Sequence, residues 1–130
     1  MDRNKATKAK WQIRALNEFF KKGDRMSKSI IKGNESLKCH CCGRWVGAPH
    51  KHHIFGGANR KFSEAYGLWV YLCPTCHNIG NHGVHQDKEL MQKYHEIGQR
   101  AFEDDCMKRK AFDHEQARAE FMRIFGRNYL

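Results

Sequence analysis

The sequence predicts an α+β protein in which a metal-stabilised centre of short strands lies between helical flanks. The centre runs from Cys39 to His85 and holds five of the six cysteines, seven of the nine histidines and seven of the eleven glycines. On either side, apolar residues recur at helical spacing instead. The 130 residues contain no internal repeat or linker, which predicts one domain over 1–130. Its parts are a basic helical extension at 1–37, a core at 38–86 and C-terminal helices at 87–130.

Three helices are predicted outside the centre. The first runs from about Lys5 to Lys22, and Gly23 ends it. The second follows His85 in QDKELMQKYHEIGQRAFEDD, whose apolar residues lie on or near one face. The third runs from about Asp113 to Ile124.

The charge of the chain favours a polyanionic partner. Lys and Arg number 24 against 14 Asp and Glu, a formal net charge of +10. Nucleic acid is the first expectation, and an anionic membrane surface is the second. Three basic residues of the first predicted helix, Lys8, Lys10 and Arg14, are candidates for contacts with the DNA backbone. They can equally form the solvated face of a helix whose apolar face packs on the core.

Two features of the sequence favour a cytoplasmic protein with no membrane partner. No apolar run approaches the roughly 18 residues of a spanning helix. The N-terminus MDRNKATKAKWQIR also lacks the apolar core of a signal peptide. In a reducing compartment the six cysteines are expected to be metal ligands or free thiols rather than disulfides.

Two cysteine pairs predict a structural zinc site. Cys39-x-x-Cys42 and Cys73-x-x-Cys76 are separated by 30 residues. A two-residue spacing lets both thiolates of a pair face one ion, and four thiolates make a closed tetrahedral site. Cys41 is a rival ligand, but Cys39 and Cys42 match the spacing of the second pair.

A run of histidines lies between the two pairs, in a segment predicted to be a strand. Alternation along the strand sends His50 and His52 to one face and His53 to the other. Adjacent histidines can therefore do different work: one can bind a metal while the other accepts a proton from a substrate.

A second group of possible ligands follows the second cysteine pair. If CHNIGNH begins a helix, His77 and Asn81 lie one turn apart and can reach the same ion. Asn81 would supply a neutral oxygen ligand. His82 and His85 are nearby alternatives.

This combination of motifs resembles the HNH nucleases of the ββα-metal (His-Me finger) type. The resemblance lies in HHI at 52–54, the glycine pair at 56–57 and LCPTCH at 72–77, preceded by the first cysteine pair. It covers about a third of the chain. A weaker similarity extends to small phage-encoded HNH proteins, including a recombination-associated group.

The resemblance implies a ββα-metal core with a four-cysteine zinc site and assigns roles within it. His53 would be the general base. His52 and His77 would be ligands of a catalytic ion, and Asn81 would match a frequent third ligand. Many family members carry Asn five residues before the second cysteine pair, where this chain has Leu68. Asn59, or the backbone, would then brace the strand that bears the base.

The expected activity is metal-dependent hydrolysis of phosphodiester bonds in DNA. A neutral imidazole suits removal of a proton from the attacking water, and a divalent ion suits stabilisation of the developing charge. We expect Mg²⁺ or Mn²⁺ to support turnover and Zn²⁺ to bind but inhibit. Arg60 and Lys61 are expected either to clamp the phosphate or to be solvated loop charges. The competing hypotheses are a non-catalytic, zinc-stabilised nucleic-acid-binding module and an adaptor that binds a host protein.

Overall fold

The computed structural model describes residues 28–79 and 81–130. The predicted helix from Lys5 to Lys22, with Lys8, Lys10 and Arg14, lies outside these residues. Within them the chain is a mixed α+β protein with one small sheet and four α-helices. None of the helices in this part of the chain combines the length and the apolar character needed to span a membrane.

The sheet consists of two antiparallel strands, β1 (His50–His53) and β2 (Trp69–Leu72). The strand predicted for the histidine run is confirmed as β1, and β2 is the second of the short strands expected in the centre of the chain. Their register pairs His50 with Leu72 and His52 with Val70. The alternation predicted along β1 is present, because His52 is buried while its two neighbours are only partly buried.

A helix that the sequence analysis did not predict connects the two strands. A 3-10 turn at Gly57–Asn59 leads into α1 (Arg60–Tyr66), in the segment that was interpreted as a loop. Two residues of this helix, the apolar Phe62 and the small Ser63, are buried. Gly67 ends the helix with a φ of 71°, and any side chain there would collide with the backbone carbonyl of Lys28.

A single helical turn, α2 (Pro74–His77), follows β2. The sequence predicted that a helix would continue from His77 through Asn81, and this is wrong. Pro74 favours the first turn, where its missing N–H costs nothing. The helix then ends at Asn78, and Asn81 lies in an exposed loop.

Two longer helices, α3 (Lys88–Lys110) and α4 (His114–Phe125), follow that loop, close to their predicted positions. The side chain of Asp87 accepts hydrogen bonds at the start of α3. Asp113 and Gln116 form a reciprocal capping box at the start of α4.

The two C-terminal helices pack on the strand region through aromatic side chains. The ring of Phe55, which follows β1, lies 4.7 Å from the ring of Phe125 and 5.4 Å from that of Phe121. Phe102 of α3 also contacts both α4 rings. One continuous core therefore holds β1, α1 and the C-terminal helices as a single body, which fixes the histidine strand relative to its surroundings.

Candidate metal sites and the His53 pocket

The four cysteines that were predicted to bind zinc lie close together. The sulfur atoms of Cys39, Cys42, Cys73 and Cys76 all lie within 4.8 Å of one another, and we call them the cysteine cluster. The Cys42 and Cys73 sulfurs are 3.8 Å apart. Tetrahedral zinc with Zn–S bonds of about 2.3 Å requires sulfurs about 3.8 Å apart, so this cluster can hold a metal such as zinc.

Both halves of the cysteine cluster have the same local turn. The backbone N–H of Cys42 points at the Cys39 sulfur at 3.5 Å, and that of Cys76 points at the Cys73 sulfur at 3.4 Å. Such donors stabilise thiolates. Burial raises the pKa of the Cys39 thiol, but hydrogen bonds led by the Cys42 backbone outweigh it and lower the pKa to about 7.

Without a cation, the cysteine cluster cannot ionise fully. Burial and the neighbouring thiols raise the pKa of Cys76 far above its usual value. A divalent metal removes this conflict, because it neutralises thiolates that otherwise repel one another. Cys41 is exposed and lies outside the cluster, so the two-residue spacing identified the pairs correctly.

A second possible metal site is formed by histidines. Ring nitrogens of His52, His77 and His85 all lie within 4.8 Å of one another, and we call these residues the histidine cluster. The Nε2 atoms of His77 and His85 are 3.0 Å apart. Two nitrogens bound to one ion at about 2.1 Å lie roughly 3.0–3.4 Å apart, so the spacing suits coordination.

The Nε2 atom of His52 gives the strongest reason to consider this cluster a possible ion site. It is buried and has no hydrogen-bond partner among the described residues. An unsatisfied buried polar atom costs about 1–3 kcal/mol, and a metal bound there would satisfy it. Burial, together with the rings of His77 and His85, lowers the pKa of His52 to about 3. Burial and neighbouring rings also lower the pKa of His77 to about 4, so both rings are neutral at neutral pH and can bind a metal.

His50 supports this cluster from behind. Its Nδ1 atom lies 3.0 Å from Nδ1 of His77. If Nε2 of His77 binds a metal, its Nδ1 must carry the proton, and His50 is positioned to accept that hydrogen bond. Partners of this kind fix the orientation of a ligand ring and raise its basicity.

A tight loop brings His85 to the cluster. The N–H of Val84 donates to the Cys76 carbonyl at 2.7 Å, and the N–H of His85 donates to the His77 carbonyl at 3.2 Å. Gly83 makes this close return possible, because a Cβ there would lie only 2.8 Å from the His77 carbonyl oxygen. His85, which was one of two alternatives, therefore joins His52 and His77. The helical turn that was expected to bring Asn81 to the same ion is absent, because α2 ends before Asn81.

His53 lies on the other face of β1, in a basic pocket of about 710 Å³. Its Nε2 atom is 2.6 Å from Oε2 of Glu64, and the Lys51 amine is 2.7 Å from Oε1 of the same carboxylate. Arg60 and Lys61, expected either to clamp the phosphate or to be solvated loop charges, line the pocket with them. The site thus combines one imidazole, one carboxylate and three cationic side chains.

The brace expected for the histidine strand is not Asn59. The Asn59 side chain donates instead to the carbonyl of Phe125 at 3.2 Å, which ties the start of α1 to the end of α4. Leu68 is fully buried, and its backbone carbonyl accepts a hydrogen bond from the N–H of Ile54 at 3.0 Å. The backbone therefore continues the strand pairing at this position.

Sequence reasoning missed the Lys51–Glu64 pair altogether. Period-two alternation does place Lys51 on the same strand face as His53, and this signal was available. Glu64 comes from a helix that was interpreted as a loop, so nothing in the spacing connected it to β1. Its contribution depends on how α1 folds back on the strand.

Comparison with protein families, with curated proteins and with solved structures found no match.

Proposed function

We propose that the protein is a metal-dependent endonuclease of the ββα-metal type that hydrolyses phosphodiester bonds in DNA. One observation carries the proposal. The adjacent residues His52 and His53 separate into two environments, one a cluster of potential metal ligands and the other a basic pocket with a carboxylate. A protein that only binds nucleic acid has no need for this division.

The order of the elements supports the same proposal. Two antiparallel strands are followed by a helical turn, and the ligand candidates lie on the first strand, at the end of that turn and in the next loop. This is the order that the ββα-metal resemblance implies, with α1 inserted between the strands. A metal bound by the cysteine cluster would hold β1, β2 and α2 near one another, because the first cysteine pair precedes β1 and the second follows β2.

The His53 pocket suits a phosphodiester. Lys51, Arg60 and Lys61 surround it, and only Glu64 opposes their charge among the described residues that line it. Positive side chains bind phosphate irrespective of base sequence, which agrees with the +10 charge of the chain. His53 is 12 % exposed, so substrate in the pocket can reach its ring.

In the proposed reaction, His53 accepts a proton from the attacking water while the basic side chains hold the phosphate. His52, His77 and His85 would hold a divalent ion. When bound, that ion would supply stabilisation of the negative charge that develops on the phosphate and leaving oxygens. Residues adjacent on a strand have Cα atoms about 3.8 Å apart. In this proposal a phosphodiester lies at the end of β1, where the two environments are formed by adjacent residues.

The ligand set also changes the expected metal. Three imidazoles suit Zn²⁺, Ni²⁺ or Co²⁺, whereas Mg²⁺ prefers oxygen ligands. We therefore propose that the histidine cluster binds Zn²⁺ or Ni²⁺ more tightly than Mn²⁺, and Mn²⁺ more tightly than Mg²⁺. Tight binding and turnover need not favour the same ion.

A second candidate function is a zinc-stabilised nucleic-acid-binding module without catalysis. The observation in its favour is Trp45, whose side chain is 72 % exposed in the loop after the first cysteine pair. The amine of Lys38 lies 5.7 Å from its ring centre. An exposed aromatic ring beside a cation suits stacking against an unpaired base.

Cleavage of supercoiled plasmid by purified protein tests the first proposal against the second. Activity should disappear with a chelator and return when Mn²⁺ or Ni²⁺ is added, with zinc in the cysteine cluster checked by elemental analysis. His53→Ala should lose at least about 100-fold in rate, the usual scale for a general base. It should still bind both metals and DNA. His82→Ala is the matched control, because His82 is exposed and lies outside the cluster.

Two outcomes would contradict the proposal. If His53→Ala cleaves at the wild-type rate in a nuclease-free preparation, His53 is not the base. If the wild-type protein binds DNA tightly but cleaves nothing with any of these metals, the binding module becomes the better explanation.

A further inference from the structure

Glu64 is the one carboxylate among the described residues that line the His53 pocket. It is placed by α1, and each of its two oxygens meets a different partner on the same face of β1. Oε2 faces Nε2 of His53 at 2.6 Å, and Oε1 faces the amine of Lys51 at 2.7 Å.

The position of Glu64 is fixed by buried contacts next to it. The hydroxyl of Ser63 is fully buried, donates to the Phe55 carbonyl at 2.8 Å and accepts from the Phe55 N–H at 3.0 Å. Phe62 is 1 % exposed and packs in the same core. The helix is thus attached to the chain just after β1, and its carboxylate is preorganised beside His53.

We propose that Glu64 is a positioning residue that fixes the tautomer and orientation of His53, and this rests on His53 being the general base. The carboxylate accepts the Nε2–H of the ring. Nδ1 is then the nitrogen without a proton, so it is the one that takes the proton from water. Only that proton is transferred in this step, and no atom changes its oxidation state.

Lys51 has a supporting part in this arrangement. It satisfies the second carboxylate oxygen, and its amine also lies 4.2 Å from the ring centre of Trp69. Burial raises the pKa of Glu64, but the hydrogen bonds from Lys51 and His53 outweigh it and lower the pKa below its usual value. Glu64 thus stays ionised and accepts a hydrogen bond rather than donating one.

This role also answers what replaces the missing Asn at position 68. Asn59 is engaged with Phe125, and Leu68 contributes only backbone pairing. Among the described residues, Glu64 supplies the side-chain hydrogen bond to the His53 ring. Orientation of the base comes from α1 rather than from the second strand.

The test compares Glu64→Ala and Glu64→Gln in the full-length, zinc-loaded protein. Glu64→Ala should lower kcat about 10- to 100-fold, within or just below the range for general-base catalysis, with KM changed less than about threefold. Glu64→Gln should retain most of kcat, because its amide oxygen can still accept the Nε2–H. Glu115→Gln, an exposed carboxylate on α4, is the matched control.

A readout that does not depend on activity separates this proposal from the proposed function. Nitrogen-15 NMR of His53, recorded where the ring is neutral, should show the Nε2–H tautomer in the wild type and in Glu64→Gln. Glu64→Ala should show a mixture of tautomers. This pattern in a wild-type protein that cleaves no DNA would support the positioning role while the nuclease proposal fails.

The proposal is overturned if Glu64→Ala keeps both the wild-type kcat and the Nε2–H tautomer. It is also overturned if Glu64→Gln shows the same mixed tautomers as Glu64→Ala. If Glu64→Ala fails to fold, as judged by its melting curve and zinc content, the tautomer of Glu64→Gln decides the matter.

Discussion

The cysteine cluster and the histidine cluster are built in opposite ways. The cysteine cluster consists of two similar short turns, each with its own N–H to sulfur contact, and all four ligands follow from a two-residue spacing. The histidine cluster gathers one residue each from β1, from the end of α2 and from the loop beyond it.

The two clusters also differ in how many coordination positions they would fill on a bound ion. The cysteine cluster offers four ligands, which completes a tetrahedral shell and suits a structural role. The histidine cluster offers three, and its member His85 is exposed, so a bound ion would keep positions open toward solvent. The difference indicates that the cysteine cluster suits a metal that supports folding, whereas the histidine cluster would leave a bound ion accessible to a substrate.

The largest effect is expected from breaking the cysteine cluster. Cys42→Ser should leave the protein unfolded or aggregated, because apparent zinc-binding energies of about 10–16 kcal/mol in zinc-finger peptides are folding energy. Circular dichroism and elemental analysis should report lost structure and less than one zinc per chain. Cys41→Ser is the control, since Cys41 lies outside the cluster. Folded, zinc-free protein would show that this cluster is not a structural metal site.

A smaller and more selective effect is expected from breaking the histidine cluster. His77→Ala should keep the fold and the zinc in the cysteine cluster, but bind Zn²⁺ or Ni²⁺ at the second site at least about 100-fold more weakly, since it removes a ligand and not only a partner of one. Calorimetric titration of the second metal would measure this.

Excess Mn²⁺ should partly restore cleavage by His77→Ala but not by His53→Ala, which separates a ligand from a base. His82→Ala should bind the second metal as tightly as the wild type does. Equal metal binding by His77→Ala and wild type would mean that the three histidines do not form a metal site.

The smallest effect is expected from moving one ligand without removing it. Gly83→Ala adds a methyl group against the His77 carbonyl, which must displace the loop that carries His85. Metal affinity at the histidine cluster should fall by about 10-fold, comparable to disturbing a supporting contact, while the cysteine cluster keeps its zinc.

Gly47→Ala is the matched control, because a Cβ at Gly47 meets no atom of the described residues within 4 Å. If both glycine variants bind the second metal equally well, the close return of the loop at Gly83 does not position His85.

The local features of this protein can be predicted from its sequence alone. The cysteine pairs, the strand alternation that separates His52 from His53 and the two C-terminal helices each depend on residues close together in the chain. Spacing and periodicity carry such information directly, because a turn or a strand fixes the directions of its own side chains.

Contacts between residues far apart in the chain depend on the tertiary structure instead. His85 reaches His77 because the chain folds back after α2 ends, and no helical periodicity predicts a return of that kind. Glu64 reaches His53 because buried Ser63 and Phe62 attach α1 to the chain after β1. In both cases packing of the core sets the contact, and the spacing of residues along the chain does not contain it.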